Sequence, residues 1–385
     1  MSILKSLFRP NEISAIVKLK YGKKSPLCNN LDHLIKSNDD LRYCFETLDL
    51  VSRSFAAVIR QLPNELSVSI CLFYLILRGL DSIEDDMNCP KDQKLKLLRE
   101  FHTYNYKEDW TLSNVGDKEE YRDLLANYDK VVRAFSTLDK KYQDIITDIC
   151  DRMGNGMADF AESEIVTVKD YDLYCHYVAG LVGIGLSQIF SASEFEKDNL
   201  KKEETLSNAM GLFLQKTNII RDYREDLEEA RTFWPKEIWG KYATTLDGFS
   251  KAPSSEASLS CLNDLVNDAL SHTIDCLNYL KKIKNNGVFK FCAIPQVMAI
   301  ATLNEVYNNP KVFLKNVKIR KGFAAKLILN TSAYDDVISV FEHIILEIEA
   351  KIPNTQTGKD TLILIKQIQA YLTQLVKQNR TLKIA

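Results

Sequence analysis

An all-α fold follows from three features of the sequence. Apolar residues recur at three- and four-residue spacing through most of the 385 residues, alternating strand-like runs are few, and proline or small polar residues punctuate the chain where helices would end. With 45% hydrophobic and 26% charged residues the chain can bury a large core. A repeat of roughly 20–50 residues is absent, which excludes a helical solenoid and leaves a single bundle.

In chain order, residues 1–24 carry Lys5, Arg9, Lys18, Lys20, Lys23 and Lys24 without the apolar run of a signal peptide, so secretion is not expected. Helix ends are expected near Pro26, Pro63, Pro90, the loop Gly248 to Ser258, Asn308-Asn309-Pro310 and Pro353-Asn354. The segment 67–81, SVSICLFYLILRGLD, is apolar nearly all round and predicts a central helix that ends in acid. Segment 210–226, MGLFLQKTNIIRDYRED, repeats that design. Between them, 174–190, YCHYVAGLVGIGLSQIF, carries Gly180, Gly183 and Gly185. Each costs a helix about 1 kcal/mol relative to alanine, so close approach of a second helix or of an extended isoprenoid chain is expected there. The apolar run Val178 to Phe190 is short for a membrane span, and Asp360 to Leu375 is too polar for one.

Composition also excludes classes of function. A net charge of -2 gives no broad basic face for nucleic acid. Nine scattered cysteines, never in a C-x-x-C pair, suit reduced core thiols, and the five histidines lack zinc-site spacing. The sequon at Asn379-Arg380-Thr381 carries no weight in a chain with that cysteine pattern.

The chemistry is expected at the two acid-tipped helices. In DSIEDD, Asp81, Glu84 and Asp85 share one helix face; in DYRED, Asp222 and Asp226 repeat the four-residue spacing. Each cluster alone also fits a solvated helix end. Together, beside Arg53 and Arg78 at the first and Lys216, Arg221, Arg224 and Arg231 at the second, they suggest carboxylates that hold Mg²⁺ while guanidinium groups grip a diphosphate. Departure of diphosphate would leave an allylic cation, which aromatic faces such as Phe55, Tyr74, Tyr174 and Phe291 could line. No G-x-G-x-x-G follows a strand, so a nicotinamide cofactor would need another route. VKIRKG at 317–322, with Lys318, Arg320 and Lys321, is either a solvated basic face or a phosphate site.

SRSFAAVI (52–59), YLILRGLDSIEDDM (74–87), YCHYVAGLVGIGLS (174–187), LQKTNIIRDYRED (214–226), FCAIPQVMAIATL (291–303) and VKIRKG resemble the eukaryotic squalene synthases, over roughly residues 35–325. The resemblance implies a helical bundle of the class I isoprenoid synthase type with a central cavity. It divides the chain into an N-terminal segment 1–34, a catalytic domain 35–335 and C-terminal helices 336–385. It implies condensation of two farnesyl diphosphates to presqualene diphosphate, then reduction to squalene with NADPH. Mg²⁺ would be held by Asp81, Glu84, Asp85, Asp222 and Asp226, from helix ends facing each other. Ser52, Arg53, Phe55, Tyr74, Arg78, Gln215 and Asn218 would bind substrate, Tyr174 would serve the first half-reaction, and Phe291 would guard the second cation. Arg221, Lys318 and Arg320 would bind NADPH. The family implies a monomer on the cytosolic face of the endoplasmic reticulum membrane. This chain carries no hydrophobic anchor before Ala385, so it is expected to be soluble, its anchor trimmed or replaced by another attachment. A phytoene or dehydrosqualene synthase, needing no reductant, and an inactive isoprenoid-binding scaffold are the alternatives.

Overall fold

The computed structural model describes residues 12, 14, 15, 18, 27–196 and 200–384; the side chains of 27–30, 53, 54 and 379–384 lie outside the described part, and with them Cys28, the Arg53 guanidinium and the sequon. The described residues form helices and no strand. The α-helices are α1 (Leu27–Ser37), α2 (Asp39–Val51), α3 (Arg53–Ile59), α4 (Asn64–Asp85), α5 (Lys91–Tyr104), α6 (Glu119–Ala126), α7 (Tyr128–Ser136), α8 (Lys140–Phe160), α9 (Val168–Cys175) and α10 (Leu181–Ala192). They continue as α11 (Glu204–Arg221), α12 (Tyr223–Glu228), α13 (Lys236–Trp239), α14 (Gly248–Lys251), α15 (Glu256–Leu270), α16 (Thr273–Lys282), α17 (Asn286–Val306), α18 (Lys321–Asn330), α19 (Tyr334–Glu349) and α20 (Gln356–Ile384). A π-helical turn, His176–Gly180, joins α9 to α10.

Two compact units emerge. One contains residues 23–164 and 180–204, the other 165–179 and 205–385 with the described residues before 23. In the first, α5 and α10 both lie along α8, α4 packs on α5 and α8, and α2 packs on α7. α4 is the central element the sequence predicts: from Leu66 to Leu80 only Tyr74 and Arg78 are not buried. Glycine permits close approach here, since a Cβ on Gly185 of α10 would fall 2.7 Å from Phe73 and 2.9 Å from Ile149. Of the two partners expected for the glycine run, Gly185 therefore meets neighbouring helices.

In the second unit α15 lies along α20, α17 along α19, and α18 packs on α17. Pro295 stands inside α17, where its missing N–H interrupts the backbone ladder. Tyr223, Trp234, Phe249 and Phe313 form a buried aromatic cluster with ring centroids 4.6–6.2 Å apart.

Among the described residues, three helical stretches, 64–85, 168–192 and 286–306, are long and apolar enough to cross a membrane, and at least half of each apolar window is buried. This corrects the reading of Val178 to Phe190 as too short. The run continues through α9 and the π turn into one 25-residue helix. All eight described cysteine side chains are buried.

Candidate active site

Helical periodicity builds the first acidic cluster. On α4 the only incompletely buried side chains from Leu66 to Asp85 are Tyr74, Arg78, Asp81, Glu84 and Asp85, a 4-3-3-1 spacing that draws one polar stripe down a buried helix. Phe55 on α3 leans on Tyr74 with ring centroids 5.9 Å apart, and the Arg78 guanidinium lies 5.9 Å over the Tyr74 ring. Arg78 pairs with Asp81 at 3.3 Å. Burial pushes the Asp81 carboxyl up to about 6; Arg78 pulls against that and the charge of Asp85 adds to it. A carboxylate so placed gains from any further cation. Glu84 anchors its turn through its carbonyl, which accepts from Lys94 Nζ at 2.7 Å. Ser52 links α2 to α3: its N–H donates to the Leu48 carbonyl and its own carbonyl accepts from Ala56, both at 2.9 Å.

Two further side chains join this face. The Tyr121 ring is flanked by Arg78 at 5.1 Å and Lys118 at 4.9 Å. The sequence reading missed both Lys118 and Tyr121, which lie more than thirty residues from the motif and outside its periodicity.

The second acidic cluster is built differently. The backbone hydrogen-bond ladder runs through the junction of α11 and α12, with Asp222 N–H donating to Asn218 and Asp226 N–H to Asp222, each at 2.9 Å. Asp222 itself departs from helical geometry at φ -94, ψ 7. Its carboxylate takes Arg221 on both oxygens and the amide of Asn316. Asp226 is 8% exposed and accepts from Arg231 at 3.0 Å. Burial pushes its carboxyl up to about 7 against the pull of Arg231, with Asp222 contributing to the rise.

Arg231 also lies 5.7 Å over Phe233, and Phe233 stacks on Tyr174 at 5.0 Å and 18°. Tyr174, on α9 and 5% exposed, is therefore tied to Asp226 by one continuous row of side chains. Gln215 and Asn218 lie on the same side of α11 as Asp222, half-buried and exposed respectively. Phe233 was missed too; its signal was an aromatic pair beside a proline in RTFWP. Phe291 is 4% exposed on α17.

Two of the four cations expected around this cluster face elsewhere. Lys216 is buried between Asp172 and Asp268, and Arg224 pairs with Glu228 at 2.7 Å. The reason is helical phase: Lys216 lies six positions from Asp222, about 120° round α11 from it.

Asn316, bonded to Asp222, brings the basic segment 317–322 beside this cluster. Lys318 is exposed there. Arg320 precedes α18 and pairs with Glu12 at 3.1 Å and Glu305 at 3.7 Å. The Glu12 carboxylate is buried against Gly322, in the first turn of α18, where an anion is favoured by the helix N-terminus. The site thus accepts negative charge, which fits a phosphate group.

Among the described residues no three His, Cys, Asp or Glu side chains converge as a ready-made metal set. Carboxylates offered singly and in pairs still fit Mg²⁺, which keeps several waters and completes its shell with substrate phosphate. The raised carboxyls of Asp81 and Asp226, each opposed by a single arginine, are the donor chemistry such an ion would satisfy.

Comparison with known proteins agrees with these features. A family profile described as squalene/phytoene synthase matches residues 48–322. The squalene synthase of Rattus norvegicus is 45% identical over 355 residues, covering 92% of this chain and 85% of that protein. Squalene synthase ERG9 of Candida albicans is 47% identical over 358 residues, covering 90% and 79% respectively. The solved complex of TcSQS with the ligand BPH1237 superposes with a TM-score of 0.85 at 42% identity, over 88% of this chain and 99% of that one.

Proposed function

This chain belongs to the squalene/phytoene synthase family, within the eukaryotic squalene synthases, and on that premise we propose that it joins two farnesyl diphosphates head to head and reduces the product to squalene with NADPH. It is a transferase of isoprenoid and sterol biosynthesis. The observation that best supports the details is that both acidic helix ends are intact and each sets its carboxylates beside arginines.

In this reading Asp81, Glu84 and Asp85, with Asp222 and Asp226, hold Mg²⁺, which when bound supplies positive charge to the leaving diphosphate oxygens. Arg78, Arg221 and Arg231 exchange part of their carboxylate pairing for phosphate oxygens, which a guanidinium grips bidentately, and Arg53 would add a further guanidinium. Ser52, Gln215 and Asn218 complete the polar lining. The C–O bond of one farnesyl diphosphate breaks, its electron pair leaving with the diphosphate. C1 of that molecule then adds across the C2–C3 double bond of the second, which keeps its own diphosphate, and C1 loses a proton as the cyclopropane of presqualene diphosphate closes. Phe55 and Tyr74 in one unit, and Tyr174 and Phe233 in the other, offer aromatic faces that stabilise positive charge without attacking it. Tyr174 steers the first cation or takes its proton.

Lys318, Arg320 and Arg221 would hold NADPH, which would supply a hydride to the cation left when presqualene diphosphate loses its diphosphate, and Phe291 would shield that cation from water. Since Arg320 is engaged by Glu12, the reductant competes with that carboxylate for the same guanidinium. A monomer at the cytosolic face of the endoplasmic reticulum membrane belongs to the same proposal.

The test is product analysis by mass after incubation with farnesyl diphosphate and Mg²⁺. Squalene is expected only when NADPH is present, with presqualene diphosphate accumulating without it. A final product independent of reductant, or no release of diphosphate, would contradict the proposal.

A further inference from the structure

One fully buried ammonium stands outside this chemistry. Lys216 on α11 is 1% exposed, and its Nζ lies 2.5 Å from Asp172 on α9 and 2.7 Å from Asp268 on α15. It also sits 5.2 Å from the ring centroid of Tyr171, whose buried hydroxyl makes no hydrogen bond among the described residues. Burial opposes the charge, but the Asp268 and Asp172 carboxylates outweigh it and hold the ammonium above the ordinary lysine range. An apolar side chain would fill the same space without this desolvation, so the cation calls for a reason.

That reason lies in what it joins. Asp172 and His176 are one helical turn apart and flank Tyr174 in sequence; their partners on α11, Lys216 and Asn208, are two turns apart. His176 Nδ1 meets Asn208 Oδ1 at 2.7 Å. The pairing runs antiparallel, Asp172 to Lys216 and His176 to Asn208, so the two contacts fix how α9 is rotated and slid against α11. The fastening is needed here because α9 has only eight residues and passes directly into the π-helical turn, where the α-helical ladder no longer sets its register. α11 is also the helix whose end carries Asp222.

We propose that Lys216 is a positioning residue: by bridging Asp172 and Asp268 it fixes the register of α9 on α11 and so holds the Tyr174 phenol in place for the first half-reaction. The inference rests on the reading of Tyr174 given above.

The experiment measures both half-reactions on the same preparation of full-length enzyme, the first from farnesyl diphosphate and the second from supplied presqualene diphosphate with NADPH. Misplacing a reacting group by about 1 Å costs up to roughly 100-fold. Lys216→Met is therefore expected to slow the first step about 10- to 100-fold with little change in KM, and to leave the second within about threefold. Lys216→Arg restores most of the loss. Should Lys216→Met fail to fold, Asp172→Asn removes one arm of the bridge at a half-exposed position and is expected to shift the same ratio less. Equal losses in both half-reactions, tracking a lowered Tm, would overturn the inference. Tyr174→Phe is the control: if it blocks the first step while Lys216→Met does not change the ratio, only the inference fails. If Tyr174→Phe spares the first step, the role of Tyr174 fails and the inference with it.

Discussion

The two acidic clusters share a four-residue carboxylate spacing yet are supported in different ways. The first is made within one helix: Tyr74, Arg78, Asp81 and Asp85 are presented by the phase of α4, and Arg78 is the arginine seen to balance Asp81. The second is assembled from distant chain: Arg231 comes from the loop after α12, Asn316 from the segment before α18, and the aromatic cluster around Tyr223 fixes the turn from below. The same motif can thus be presented chiefly by the phase of one helix or assembled from distant chain. The second kind exposes the site to damage from residues far outside the motif.

The largest effect expected is on chemistry, and there the two clusters should not differ. Asp81→Asn and Asp222→Asn should each lower diphosphate release on the order of 10²–10³-fold, since each removes charge from the leaving-group site. Their stabilities should differ. Asp222→Asn surrenders charge-assisted hydrogen bonds to Arg221 and Asn316 and is expected to cost about 1–3 kcal/mol in a denaturant titration. Asp81→Asn relieves a carboxyl that burial already disfavours and should be neutral or stabilising. The reverse order would mean that Arg78 anchors its helix more firmly than the geometry suggests.

A second contrast lies in remote residues. Arg231→Met, five positions beyond Asp226, should reduce the first half-reaction about tenfold by freeing both Asp226 and the Phe233 ring that supports Tyr174. An unchanged rate would detach that row of side chains from catalysis.

The smallest effect is on pH. Protons compete with Mg²⁺ for carboxyls raised to about 6 at Asp81 and about 7 at Asp226. Apparent Mg²⁺ affinity, read by calorimetry, should therefore fall about two- to tenfold between pH 8 and pH 6. Because Asp226 is the higher, Asp226→Asn should flatten the upper part of that change.

Much of this was legible in the sequence, for a definite reason. Helical periodicity reports each helix's own faces, so the all-α class, the buried core of α4 and the acidic stripe at its end were all readable from spacing. The π turn at 176–180 was not, because the sequence YCHYVAG carries nothing that distinguishes i+5 from i+4 bonding. Nor were Asn316 on Asp222, 94 residues away, or Phe233 on Tyr174, since no period links them. Lys216 shows the opposite error: nearness in sequence to Asp222 suggested the diphosphate clamp, whereas helical phase turns its ammonium to Asp172 and Asp268.

The central claim of the proposed function, that both carboxylate clusters serve one diphosphate, is tested most directly by a double-mutant cycle on Asp81 and Asp222. Diphosphate release from farnesyl diphosphate would be timed in the parent enzyme, in Asp81→Asn, in Asp222→Asn and in the double variant. Groups that work as a unit are strongly non-additive, so the double variant is expected to be about as slow as the slower single variant. Losses that multiply would contradict the claim and make the two clusters independent sites.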